Sequence, residues 1–220
     1  MKINEKNNLA FTITELLVVI AIVLFLALLF GIGSGWSRIK AQRINCVNNL
    51  KQLTLQCKLF VIDNNGRFPW QIPVNESGSF DPANQKTFRH FLTLTKGIGN
   101  PKICFCPADK NKSFAKSWAE FNNNNCSYFV GYDVDNSGGF LFGDRNLKGI
   151  ANNESCNVWK GAQGGCITTS SEWDEAIHNK CGNVSFGDGS VHQVDTAGLK
   201  KLAETVNRDN GRNHSRFPID

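Results

Sequence analysis

The sequence predicts an α+β protein in which a long N-terminal helix packs on a small antiparallel sheet. Three observations carry that expectation. Residues 9–35, LAFTITELLVVIAIVLFLALLFGIGSG, are apolar around a single acid, Glu15. The positions Cys46, Leu50, Leu53, Cys57 and Phe60 then recur at steps of four, three, four and three, the spacing of one helix face. Beyond a turn-rich break, the aromatic and β-branched segments 126–134 and 139–144, and the pair NVSF and VHQV around GDGS, read as strands joined by tight turns.

Taken in order, the elements begin with a short leader, residues 1–10, holding Lys2 and Lys6 against Glu5. From Phe11 to Gly35 run 25 residues whose only charge is Glu15. A helix needs about 20 residues to cross a hydrocarbon core of about 30 Å, so residues 11–35 are expected to span a membrane. The apolar core is too long for a cleaved secretory signal, and Gly31 to Gly35 offer no Ala-x-Ala pattern, so it is expected to stay as an anchor. Lys2 and Lys6 nearly balance Arg38, Lys40 and Arg43, which leaves orientation open on charge alone.

Residues 36–62 are expected to continue the helix in amphipathic form. Gly31, Gly33 and Gly35 lower helix propensity at the junction, and DNNGRFP at 63–69 is a strong terminator. The head, 63–206, should contain a short helix at Thr87–Thr95, a small strand at CFCP (104–107), strands in CSYFVGYDV and GFLFGD, an irregular Gly/Asn/Cys-rich stretch, the GDGS hairpin and a helix at Ala197–Val206. The sheet is expected to be covered on one side by the N-terminal helix, and residues 207–220 read as a polar tail.

The net charge of +5 is dispersed, with no basic patch interleaved with aromatics, so a nucleic-acid partner is not expected. Eight cysteines in a chain of this size suggest disulfides or buried thiols, with pairing left open. Cys104-x-Cys106 is tighter than zinc spacing, and no second close pair follows it. Asp133, Asp135, Ser137 and Asp144 occupy the first, third, fifth and twelfth places of a calcium loop with Gly138 at the sixth, which makes calcium the one cofactor candidate. The strand-like flanks, and Asp where the loop wants Glu, favour a plain turn instead. His178, His192 and His214 with Asp188 lack a nucleophile setting or phosphate loop, so no enzyme is expected. Asp188 reads as the turn acid before Gly189, and His178 as a packing or hydrogen-bonding residue.

An ionised carboxylate in an apolar helix marks a functional position. Together with the leader, Ala10-Phe11-Thr12-Ile13-Thr14-Glu15-Leu16 resembles the N-terminal signature of type IV pilins and type II secretion pseudopilins. The resemblance implies cleavage of the Ala10–Phe11 bond by a prepilin peptidase/N-methyltransferase, methylation of the new Phe11 amine, and pairing of that amine with Glu15 of a neighbouring subunit during assembly. It also implies a single-pass protein of the bacterial inner membrane, with the leader cytoplasmic and the head periplasmic or extracytoplasmic. Its partners would be other pilin or pseudopilin subunits and, indirectly, an assembly platform and ATPase. Ala10 stands where the family usually has Gly, and Thr14 where it has an apolar residue. His178, nine intervening residues and Asp188-Gly189, with GDRN at 143–146, are similar to a processing-associated C-terminal motif of a bacterial prepilin-like subfamily. The expected fold is therefore pilin-like, and the expected function is that of a structural subunit of a type IV pilus or a type II secretion pseudopilus. The alternative is a minor or non-polymerising membrane-anchored envelope protein that binds a partner through its head.

Overall fold

The computed structural model describes residues 11–31, 34–82, 86–134, 138–150, 164–210 and 214–218. Ala10, and residues 151–163 of the irregular stretch, lie outside them. The chain divides into two units, Met1–Lys40 and Ala41–Asp220.

The first unit holds helix α1 (Ile13–Gly31), which has no Gly or Pro before its last residue and no polar face. Among the described residues no helix is long and apolar enough to cross a membrane. The part of α1 whose side chains are described, 13–28, is about 24 Å long at 1.5 Å per residue, against a hydrocarbon core of about 30 Å. This finding corrects the fold expected from the sequence: the membrane-spanning helix over 11–35 is overturned, and with it the single-pass inner-membrane placement. Residues 32–33, where the expected helix passes into its amphipathic continuation, lie outside the described residues. Helix α1 ends at Gly31, the first of three closely spaced glycines, and α2 (Ser34–Asp63) begins at Ser34, with Gly35 in its first turn.

In the second unit α2 turns Cys46, Leu50, Leu53, Cys57 and Val61 into the core. Val61 replaces the expected Phe60 as the last fully buried position because a straight helix drifts off a seven-residue repeat, so the stripe ends on a step of four. The helix closes as its terminator demands. Asn65 and Gly66 adopt positive φ, and the Gly66 N–H donates to the Val61 carbonyl at 2.9 Å, a left-handed cap.

Helix α3 (Phe88–Leu92) falls inside the predicted Thr87–Thr95 segment. The strand expected at CFCP is absent. A 3-10 turn, Pro101–Cys104, takes its place, capped by the Asn100 side chain accepting from the Lys102 N–H. Pro101 and Pro107 bracket the segment and withhold ladder donors, which explains why it does not pair.

Six strands form one antiparallel sheet: β1 (Tyr128–Gly131), β2 (Phe140–Asp144), β4 (Gly164–Cys166), β6 (Cys181–Phe186), β7 (Val191–Asp195) and β8 (His214–Arg216), in the order β4-β8-β1-β2-β6-β7. Strands β3 (Leu147–Lys148) and β5 (Glu172–Trp173) make a separate pair. The last of the six corrects the polar tail expected at 207–220, since β8 lies between β4 and β1 with His214, Ser215 and Arg216 buried. Its polar side chains hid a segment whose backbone is satisfied by two ladders.

The sheet is covered on both faces, not on one. Tyr128 and Val130 of β1 join the cluster under α2, while Phe129 between them joins Val184, Leu199, Ala203 and Phe217 under α4 (Thr196–Asn210). That is the period-two alternation of a strand buried on both sides. A register shift in the β2–β6 ladder lies between Phe140 and Phe142, and Leu141 and Phe142 both contribute to the cluster under α2. Beside Asp144, Gly143 allows β1 and β2 to close. A Cβ there would sit 2.5 Å from the Phe129 ring.

Candidate functional site

At the head of α1 the Glu15 carboxylate turns back on its own helix. Its Oε2 accepts from the Thr12 backbone N–H at 2.9 Å and from Thr12 Oγ1 at 2.7 Å, while the Glu15 N–H donates to Thr12 Oγ1 at 3.3 Å. This is a capping box, in which Thr12 precedes the helix and Glu15 stands at its third position. Phe11 is 72% exposed beside it. The Thr-x-x-Glu pattern is local in the sequence and by itself gives the acid a structural reason.

Four segments far apart in the chain converge on a second site. Cys46 comes from α2, Cys106 from the loop after the 3-10 turn, Asp144 from the end of β2 and His178 from the loop before β6. One ligand atom from each lies within 4.8 Å of all the others, and all four residues are buried. Cys46 and Cys106 are disulfide-bonded. His178 Nε2 is 3.4 Å from Cys106 Sγ and 3.7 Å from Asp144 Oδ2.

The local structure holds these groups firmly. The backbone N–H and the side-chain amide of Asn183 each donate to Asp144 Oδ2 at 2.8 Å. His178, Asn179 and Lys180 are three successive residues at positive φ, which turns the chain sharply before β6. Burial pushes the Asp144 carboxyl up to about 7 against the lowering pull of the Asn183 hydrogen bonds and the Arg43 charge. Burial also pushes the His178 imidazole down to about 4, helped by Arg43. Near neutral pH the imidazole is therefore uncharged. Two buried atoms in the cluster, His178 Nδ1 and Asp144 Oδ1, have no hydrogen-bond partner.

The sequence motif His178-x9-Asp188-Gly189 is not one site. His178 lies before β6 and Asp188 in the turn after it, and each end meets α2 at a different place. His178 joins Cys46, whereas the Asp188 carbonyl accepts from Lys58 Nζ at 2.7 Å. The Asp188 carboxylate accepts from the Ser190 N–H at 2.8 Å, which holds it below its ordinary range, and Gly189 takes φ +101°. The motif thus fastens both ends of β6 to the helix.

The calcium set is not gathered either. Asp135 and Ser137 lie outside the described residues. Asp144 stands opposite Tyr128 at one end of the β1–β2 ladder, while Asp133 lies beyond the other end, where it accepts from the His214 N–H at 2.7 Å and meets the His214 ring. Five residues of extended strand, about 16 Å, separate the two ends, whereas calcium ligands stand 2.3–2.6 Å from one ion.

A third buried polar centre was not foreseen. His90 contacts Ser79 Oγ through Nδ1 at 2.8 Å and the Tyr132 hydroxyl through Nε2. Trp70 packs edge-on against both rings, and the Arg216 guanidinium lies over Tyr132. Burial, then the Arg216 and Arg89 charges, push the His90 imidazole down to about 3. Comparison of the chain with protein families, with curated proteins and with solved structures found no match.

Proposed function

We propose that this chain is a prepilin-like structural subunit, cut by a prepilin peptidase at Ala10–Phe11 and assembled with other copies through its N-terminal helix into a filament. The observation that carries the reading is the surface of that helix. Thirteen large apolar side chains between Phe11 and Leu28 are 45–78% exposed. Together they present on the order of 1,000 Å² of apolar surface, where a monomeric protein tolerates a patch of a few hundred. Such a surface is stabilised when it packs against its own kind, and a repeated head-to-tail contact that does not close on itself builds a helical filament.

Cleavage would leave the new Phe11 amine four residues from Glu15, so that each incoming helix brings a cation and an acid at a fixed axial offset. Methylation of that amine would keep its charge. The subunit itself performs no chemistry in this reading, and the peptidase/N-methyltransferase, platform and ATPase act upon it.

The test is co-expression of the full chain with its peptidase and assembly partners, followed by recovery of sheared filaments and N-terminal sequencing of their subunits. Chains beginning at Phe11 in a filament fraction are expected. Recovery of the processed chain solely as a monomer that cannot be cross-linked to itself would overturn the reading.

A further inference from the structure

The Cys46, Cys106, Asp144 and His178 cluster is built for more than a disulfide. We propose that it is a redox-gated site for one divalent ion of the zinc class, closed while Cys46 and Cys106 are bonded and opened when a dithiol reductant separates them. This inference stands apart from the filament reading.

A disulfide needs neither an imidazole nor a carboxyl group beside it. Burying both beside the bond carries a desolvation cost that the bond itself does not offset. The donor set answers that cost. Two thiolates, one imidazole nitrogen and one carboxylate oxygen are a tetrahedral ligand set for zinc. Zinc–sulfur bonds of about 2.3 Å at a tetrahedral angle place two sulfurs about 3.8 Å apart, which is also the contact distance of two reduced thiols. His178 Nε2 already faces both Cys106 and Asp144, and Asn183 orients the carboxylate from outside, as outer hydrogen bonds do at metal centres.

The charges also close. Two thiolates and a carboxylate around a dication leave one negative charge, and Arg43, whose positive charge acts on both Asp144 and His178, offsets it. The neighbouring Asp109 is neutralised by Arg145 through two contacts of 2.7 Å.

The chemistry balances in two steps. The dithiol reductant gives two electrons and two protons to the Cys46–Cys106 bond and leaves as its own disulfide. The ion then displaces the two thiol protons, and any proton on Asp144, to solvent. A disulfide oxidant that takes two electrons from the two thiolates and two protons from solvent, leaving as its own dithiol, would restore the Cys46–Cys106 bond and release the ion.

The test uses the full chain in mild detergent, prepared oxidised or reduced with dithiothreitol and desalted without oxygen. Each form is titrated with Co²⁺ as the probe. The reduced form is expected to take up one Co²⁺ per chain, with the intense visible bands of tetrahedral cobalt and a sulfur-to-cobalt charge-transfer band, and the oxidised form none. His178→Gln and Asp144→Asn are each expected to weaken binding by about tenfold or more. Circular dichroism of both variants with the disulfide intact checks that they fold, and His178→Gln alone decides if Asp144→Asn does not. No tetrahedral spectrum in the reduced protein, equal uptake by the oxidised protein, or undiminished binding by folded His178→Gln would each overturn the proposal.

Discussion

His90 offers the sharpest test of the buried electrostatics, because its neutral form is built into the packing. Protonation would leave its contacts to Ser79 and Tyr132 possible, since both hydroxyls can accept. The cost comes from placing a charge in a dry site that already feels Arg216 and Arg89. The imidazole falls from 6.5 in the unfolded chain to about 3 in the fold. Below pH 6.5 the unfolded state therefore binds a proton that the folded state refuses, so stability is lost as pH falls toward 3. The linkage amounts to about 2 kcal/mol at pH 5 and about 3 kcal/mol at pH 4. His90→Gln keeps a hydrogen-bonding side chain without a titrating charge. Urea unfolding, followed by the fluorescence of Trp70 and the other tryptophans, is measured for wild type and variant at pH 8, 5 and 4. His178 also titrates in this range, in the same direction, and Asp144 in the opposite one, but both are common to the two proteins and cancel in the difference. The wild type is expected to lose about 2 kcal/mol more than the variant between pH 8 and pH 5. Equal losses, or an NMR titration that places His90 near its ordinary value in the folded protein, would refute the reasoning.

Two further predictions concern the packing of α2. The Cys46–Cys106 bond closes a loop of 60 residues, and chain-entropy reasoning assigns about 4 kcal/mol to such a link. Cys46→Ala/Cys106→Ala is thus expected to lower the free energy of unfolding by about that amount in chelator-containing buffer, and a loss near zero would contradict it. Leu50 is fully buried in the centre of the helix stripe, so Leu50→Ala is expected to cost about 2–5 kcal/mol by urea melt, while Leu55→Ala on the exposed side stays within about 0.5 kcal/mol.

What could be read in the sequence was what a local period or a short-range turn encodes. The α2 stripe is visible because Cys46, Leu50, Leu53 and Cys57 repeat within one helix, and the β6–β7 hairpin because Asp188-Gly189 makes its own turn. Strand β8 escaped because three polar residues carry no strand pattern. Only their place between β4 and β1 buries them. The cysteine, histidine and aspartate cluster escaped for a related reason. Its members lie at 46, 106, 144 and 178, and nothing in their separation marks them until the sheet and α2 bring them together. A calcium-loop count along the chain places Asp144 with Asp133, because it takes no account of a strand holding the two ends apart. The apolarity of 11–35 is plain in the sequence, yet among the described residues no helix is long and apolar enough to cross a membrane.

The observed cap and the proposed charge pairing at Glu15 can be separated, and the capping box provides the means. In the structure the acid caps α1 through Thr12, a contribution of about 1 kcal/mol that an amide can reproduce, since glutamine serves at this position of a capping box as well as glutamate. Pairing with a neighbouring Phe11 amine, in contrast, needs the negative charge. Glu15→Gln and Glu15→Ala should therefore diverge if the cap governs assembly and coincide if the charge does. The filament reading expects the second pattern: both variants cut normally at Ala10–Phe11, α1 intact in Glu15→Gln, and both depleted at least tenfold from the sheared filament fraction. Rescue by glutamine would assign the residue to helix initiation and remove the charge-pairing step from the proposed assembly. Normal incorporation of the alanine variant would remove Glu15 from assembly altogether.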